Sequence, residues 1–162
     1  MLKRYRIDTV TGEVALGETL SPTNAKTAFP VMNPRLSGKP YCFYWAVEMF
    51  HNGFEFASYA LVKHDMCGAG SQSSATNSSN TYWYKPNHYQ SEARFVPSED
   101  PGAAEDSGTL VFIDFDGISG TSYLVTIDAA TMKTVETIAL PVPVPFMLHG
   151  EFHAGVHSAP KQ

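Results

Sequence analysis

Three times along this chain a short run of alternating β-branched and aromatic residues ends on an aspartate, makes a turn, and is answered by a second such run. The first copy is Arg4–Asp8, a turn at Thr9-Val10-Thr11-Gly12, and Glu13–Leu16. The second is Tyr59–Asp65, with Thr81–Tyr84 as its return. The third is Tyr123–Asp128, a loop at 129–133, and Thr134–Leu140. Apolar residues alternate with period two rather than recurring every 3.6 residues, which predicts strands and argues against helices. In each copy the aspartate is placed to accept backbone N–H groups from the turn that follows. The three aspartates stand at 8, 65 and 128, so the repeat is 57 and then 63 residues long. A hairpin repeat of that size suggests blades of a β-propeller, although it exceeds the usual repeat of about 40–50 residues. Generic hairpins at chance spacing are the competing explanation. Propellers close with about four to eight blades, and 162 residues at this spacing hold fewer than three. The expectation is therefore an all-β chain whose blades do not close a ring by themselves, as in a piece of a longer protein, a truncated isoform or an incomplete gene model.

Composition narrows the class. Hydrophobic residues make up 43% and charged residues only 17% of the chain, as expected of a packed globular protein. A net charge of −5 leaves no basic stripe for nucleic acid. No run of 18 apolar residues occurs, and Met1-Leu2-Lys3-Arg4-Tyr5-Arg6 has no apolar signal core. Cys42 and Cys67 fit no metal-knuckle or redox spacing, and two cysteines make a poor disulfide framework. A reduced, cytoplasmic setting follows as the expectation. Residues 67–80, rich in Gly, Ser and Asn, read as a low-complexity mobile loop, and Pro97–Gly108 as a second surface loop. Tyr41–Trp45 and Phe54–Tyr59 are further strand candidates; the aromatic residues Tyr41, Phe43, Tyr44 and Trp45 suit a sheet core better than a stacking platform. Neither a phosphate-binding glycine loop nor a nucleophile elbow is present.

Two segments carry the chemistry. Pro141-Val142-Pro143-Val144-Pro145-Phe146-Met147-Leu148-His149-Gly150 delivers one histidine on a short apolar stretch held by three prolines. Ser91-Glu92-Ala93-Arg94-Phe95-Val96-Pro97 offers a carboxylate at the start of a strand-like run. Taken singly, a histidine on an apolar strand is more often a satisfied core residue, and a glutamate at a strand start is usually solvated. His149, His153 and His157 are spaced four apart, but Gly150, Gly155 and the prolines argue against a helix. On a strand, residues four apart stand about 13 Å from one another, too far to share an ion. His153 and His157 therefore read as part of a frayed tail.

Together with Glu105-Asp106-Ser107-Gly108, these segments resemble the last part of the carotenoid cleavage oxygenases. Members of that family typically carry E-P-x-F-V-P, an E-D-D-G turn and a closing P-x-x-F-H-G. The amino end is similar to the family's L-x-R-Y-x-I-D-x-x-T-G. The resemblance spans nearly all of 1–162 and implies the carboxyl-terminal blades of a seven-bladed β-propeller, incomplete in this chain. It implies an enzyme using Fe(2+) to cleave a carbon–carbon double bond of a carotenoid or related apolar polyene with dioxygen. His149 would be one of four histidines on the iron, and Glu92 would accept the free N–H of a ligand imidazole. The other three ligands have no counterpart among His51, His64, His88, His153 and His157. Peripheral membrane contact, where the resemblance implies it, would come from parts of the protein outside this chain. Two positions depart from the pattern: Ala93 stands where relatives have proline, and Ala28 where the similar E-F-P-x-I-N segment has a further carboxylate. That departure, with the three missing ligands, supports an alternative: a catalytically silent, truncated or diverged member with a binding role or none.

Overall fold

The computed structural model describes residues 2–3, 5–15, 19–21, 26–52, 55–67, 80–144 and 149–153. Within them the regular structure is β throughout, apart from one 3-10 turn at Pro34–Leu36. Short strands β1 (Leu2–Lys3), β2 (Arg6–Ile7), β3 (Val14–Ala15) and β4 (Thr19–Ser21) form two small antiparallel pairs, β1 with β4 and β2 with β3. Two larger sheets follow. The first is an antiparallel meander of β5 (Lys26–Val31), β6 (Phe43–Asn52), β7 (Glu55–Asp65) and β8 (Thr81–Trp83). The second runs β9 (His88–Gln90) and β10 (Arg94–Pro97), both on β11 (Gly108–Asp116), then β12 (Thr121–Asp128) and β13 (Thr134–Ala139). Each is an up-and-down antiparallel sheet four strand positions wide, in the manner of a propeller blade.

All three hairpins expected from the repeat form. Ile7 pairs with Val14, Val62 with Tyr82, and Leu124 with Ile138. Arg4 and Leu16 lie outside the described residues, as do 68–79 of the low-complexity segment and Phe54. Of the Tyr41–Trp45 candidate, Phe43–Trp45 forms the start of β6, and Tyr41 and Cys42 precede it. The segment ending at Tyr59 is not a separate strand but continues unbroken into Asp65 as β7, because its alternation carries straight through.

Each repeat aspartate makes its turn. Asp8 Oδ1 accepts the N–H groups of Val10 (2.8 Å) and Thr11 (2.9 Å). Asp65 Oδ1 accepts that of Cys67 at 2.9 Å, and Asp128 Oδ1 accepts both the hydroxyl and the N–H of Thr131 at 2.7 Å. These bonds hold the Asp8 and Asp128 carboxyls below the ordinary range. A fourth such turn, at Asp116, does the same with Ser119 and Ile118.

The core lies between the two large sheets. Trp45, Val47, Tyr59 and Leu61 from the first meet Phe95, Leu110, Phe112, Val125 and Ile127 from the second. Trp45 lies over Phe95 with ring centroids 4.7 Å apart, and Trp83 meets Phe112 edge-on at 5.0 Å. The Trp45 indole N–H, fully buried, donates to the Ala129 carbonyl at 3.1 Å.

The Glu105–Gly108 turn clips the sheets together. Glu105 Oε1 accepts the N–H groups of Cys42 and Phe43, each at 2.7 Å, and so caps the open end of β6. Asp106 pairs with the nearly buried Lys63 at 2.6 Å, and Lys63 also donates to Ala130 O and lies over the Phe43 ring. Gly108 has no room for a side chain: a Cβ would sit 2.5 Å from the Val96 carbonyl and 2.7 Å from the Phe95 ring. The acid-acid-x-glycine pattern is thus a packing device with three separate jobs.

One expectation is overturned. Cys42 and Cys67 are joined by a disulfide, with Cα atoms 5.1 Å apart. The reason is register. Phe43 pairs with Asp65 and the Met66 N–H donates to the Cys42 carbonyl at 2.8 Å, which brings Cys67, one residue further on, within reach of Cys42 although 25 positions separate them. Spacing motifs cannot reveal such a pair; strand pairing can. Cys42 and Cys67 therefore give no support to a reduced setting. Reduction, or Cys42→Ser with Cys67→Ser, is expected to cost about 3 kcal/mol for a loop of this length. Urea midpoints measured with and without reductant check this, and coincident midpoints would refute it.

Candidate functional site

The site begins with a β-bulge. Gln90 pairs with Asp114 and Arg94 with Val111, so Ser91, Glu92 and Ala93 stand opposite only Phe112 and Ile113. The extra residue breaks the alternation of the strand, and bulges are a common means of re-aiming a side chain. Ser91 closes the gap in the ladder: its N–H donates to Ile113 O at 2.8 Å, and its Oγ accepts the Ile113 N–H at 3.0 Å. Ala93 is buried to 1% exposure and anchors the bulge on the core side. Glu92 is left between β9 and β10 with its carboxylate directed at the segment that follows β13.

That segment is tied down first at Ser122. Its carbonyl accepts the Leu140 N–H at 2.8 Å, and its Oγ accepts the Val144 N–H at 2.9 Å. Residues 145–148 are outside the described part. His149 then meets the bulge, with Nδ1 3.1 Å from Glu92 Oε2. The same oxygen accepts from Arg94 Nη2 at 3.0 Å, while Arg94 Nε donates to the Gly150 carbonyl. Phe29 presents its ring edge-on to the imidazole, centroids 6.0 Å apart. Glu92 has a side chain only 8% exposed, whereas that of His149 is 74% exposed.

Phe29 sits on a second bulge. Ala28 pairs with Val47 and Val31 with Trp45, so Phe29 and Pro30 stand opposite Ala46 alone. Phe29 takes φ = 55° there, left-handed backbone that is rare for a bulky residue. Each large sheet therefore bulges along its outer edge at, or directly after, the position where the resemblance expects a carboxylate. Glu92 stands within one bulge; Ala28 is the last paired residue before the other.

A cavity of about 330 Å³ opens beside the imidazole, bounded by Glu92, Arg94, Ile113, Leu124, His149 and Phe152. A carboxylate can only accept, so the Glu92–His149 contact puts the proton on Nδ1. The Nε2 lone pair is then free on a ring that faces outward. This is the arrangement in which an imidazole best binds a divalent metal. The residues present fit one ligand of such a centre: among the described residues no group of three His, Cys, Asp or Glu side chains converges.

The other histidines lie elsewhere. His64 is buried against Glu48 (3.2 Å) and stacked on Tyr44 with centroids 4.4 Å apart. His88 pairs with Asp114 at 2.6 Å; burial pushes the Asp114 carboxyl up despite that partner. His153 pairs with Glu151 at 3.3 Å, and the His51 side chain and His157 fall outside the described part. Arg94 and Phe29 are the site residues that sequence reasoning passed over. The signal for Arg94 was its position two after Glu92 in a strand-like run; that for Phe29 was its place directly after Ala28 in the segment similar to E-F-P-x-I-N.

The family model for RPE65, retinal pigment epithelial membrane protein, matches residues 1–154. The apocarotenoid-15,15'-oxygenase of Synechocystis is 29% identical over 126 residues, covering 76% of this chain and 24% of that protein. A carotenoid cleavage oxygenase of Mycobacterium tuberculosis is 29% identical over 152 residues, covering 93% of this chain and 28% of its own length. The chain thus spans about a quarter of the curated relatives it matches. Among solved structures, the cobalt-substituted Synechocystis oxygenase superposes with a TM-score of 0.68 at 23% identity, over 91% of this chain and 29% of that one. A chimera of that oxygenase with RPE65 superposes with a TM-score of 0.70 at 21% identity, over 90% and 28% respectively. These structures are β-propellers, and the two large sheets described above are blades of that fold. The bulged strand, its carboxylate and the histidine it meets therefore sit in a chain that belongs to the family of RPE65 and the carotenoid cleavage oxygenases.

Proposed function

We propose that this chain is the part of an iron(II)-dependent oxygenase that supplies one imidazole of the metal centre, His149, and the carboxylate that orients it, Glu92. The observation carrying the proposal is the 3.1 Å contact between Glu92 Oε2 and His149 Nδ1. It fixes the tautomer that leaves Nε2 for a metal, and it arises from a bulge with no other evident purpose. A cobalt-substituted form of the Synechocystis oxygenase has been solved, which supports a divalent metal site in this fold. Relatives named for apocarotenoid and carotenoid cleavage support an apolar polyene as substrate. The overall reaction breaks a carbon–carbon double bond and places one atom of dioxygen on each carbon, giving two carbonyl products. When bound, ferrous iron would supply open coordination positions for that chemistry, which imidazole ligands leave available.

The chain's own residues have narrower tasks. Glu92 holds the His149 proton on Nδ1. Ile113, Leu124 and Phe152 line the adjoining cavity with apolar surface, which suits a polyene better than a polar ligand. Phe29 limits rotation of the ring by packing at its edge.

Ala28 favours a second reading, a family member that no longer catalyses. A carboxylate partner missing from a metal site typically costs 10–100-fold in affinity or activity. One chimera separates the two. This chain is substituted for the matching 29% of the Synechocystis oxygenase, and cleavage of an apocarotenoid is assayed with and without Ala28→Glu. Cleavage by the unmodified chimera supports the enzyme reading. Cleavage only after Ala28→Glu supports the silent one, and cleavage by neither variant of a folded, iron-loaded chimera overturns the proposal.

A further inference from the structure

We propose that Arg94 is a positioning residue for the His149 imidazole, a role that rests on reading His149 as a ligand. The guanidinium grips both parts of the site at once. Nη2 donates to Glu92 Oε2, the oxygen that faces His149 Nδ1, at 3.0 Å. Nε donates to the carbonyl of Gly150, the residue that follows the histidine. One planar fork thus spans the side chain that orients the ring and the backbone that carries it.

The need for such a grip is plain from exposure. The His149 side chain is 74% exposed, so packing alone does not hold the ring. The preceding tie to the sheet within the described residues is at Val144, five positions earlier. Glu92, by contrast, is only 8% exposed, and a buried carboxylate is costly unless it is paired and hydrogen-bonded. Arginine provides a permanent countercharge, together with a rigid geometry that lysine lacks. Two donors converging on one carboxylate oxygen fix its direction, and through it the ring. The resemblance pattern E-P-x-F-V-P does not specify this position.

The test reads the imidazole in the metal-free 162-residue chain by nitrogen NMR. The unmodified chain is expected to show His149 as the Nδ1–H tautomer. Arg94→Leu is expected to move it toward the Nε2–H form that free histidine prefers. Arg94→Lys keeps the charge but cannot bridge, and is expected to fall between the two. A second readout uses cobalt(II) alone, titrated into the chimera: Arg94→Leu weakens binding about 10-fold, and Arg94→Lys by less. If Arg94→Leu does not fold, the lysine variant decides both readouts. An unchanged tautomer with unchanged cobalt affinity in a folded variant overturns the proposal. The tautomer readout needs no metal, so it stands or falls separately from the chimera's failure to bind iron or cleave substrate.

Discussion

Alanine in place of His149 is expected to leave the chimera folded but without tightly held iron and without cleavage. The ring is mostly exposed, so its loss removes little buried surface and stability changes by less than about 0.5 kcal/mol. The site, however, loses a ligand outright. Glu92→Gln is the milder companion, because the amide can still accept from Nδ1 but no longer carries the charge; a loss of 10–100-fold in metal affinity is expected. The order His149→Ala worse than Glu92→Gln follows from what each residue does. His153→Ala provides the control, since His153 pairs with Glu151 and not with the site. Metal analysis and product assays on the four proteins check the series. Equal iron content in the His149→Ala and unmodified chimeras would remove the histidine from the centre.

The largest expected effect on stability lies at Trp45. Its side chain is completely buried, it lies on Phe95, and its N–H satisfies the Ala129 carbonyl on the far sheet. Trp45→Ala removes packing from both blades, leaves a cavity at their junction and strands a buried carbonyl. Together these are expected to cost about 3–5 kcal/mol. Proteins of this size are stable by only about 5–15 kcal/mol, so the variant is expected to be largely unfolded at 37 °C. Trp45→Phe retains most of the ring and is expected to cost about 1–2 kcal/mol, chiefly the hydrogen bond. Denaturant titrations followed by far-UV circular dichroism separate the two. A Trp45→Ala loss below about 1 kcal/mol would mean that the interface between the sheets is not the core.

What could be read from the sequence was local. Alternation through Tyr123–Asp128 and Thr134–Ala139 needs only neighbours, and an aspartate at a strand end announces its own turn; both appear in the structure as expected. His149 and Glu92 could be named from the motifs around them. The bulge that joins them could not. It becomes visible only when three residues of one strand are set against two of another, and no sequence window contains both. The Cys42–Cys67 disulfide was hidden for the same reason, since strand register and not spacing brings the two together. Arg94 looked like an ordinary strand cation until the Gly150 carbonyl, 56 positions away, came within reach. Pairing across the fold, rather than pattern along the chain, made the site.

The most direct measurement is a crystal structure of the chimera soaked with cobalt(II), using the metal's anomalous signal to locate it. The account predicts cobalt about 2.1 Å from His149 Nε2, with Nδ1 still on Glu92 and Arg94 still bridging to Gly150. Cobalt bound through Nδ1, or bound fully while His149 turns away from it, would contradict the account.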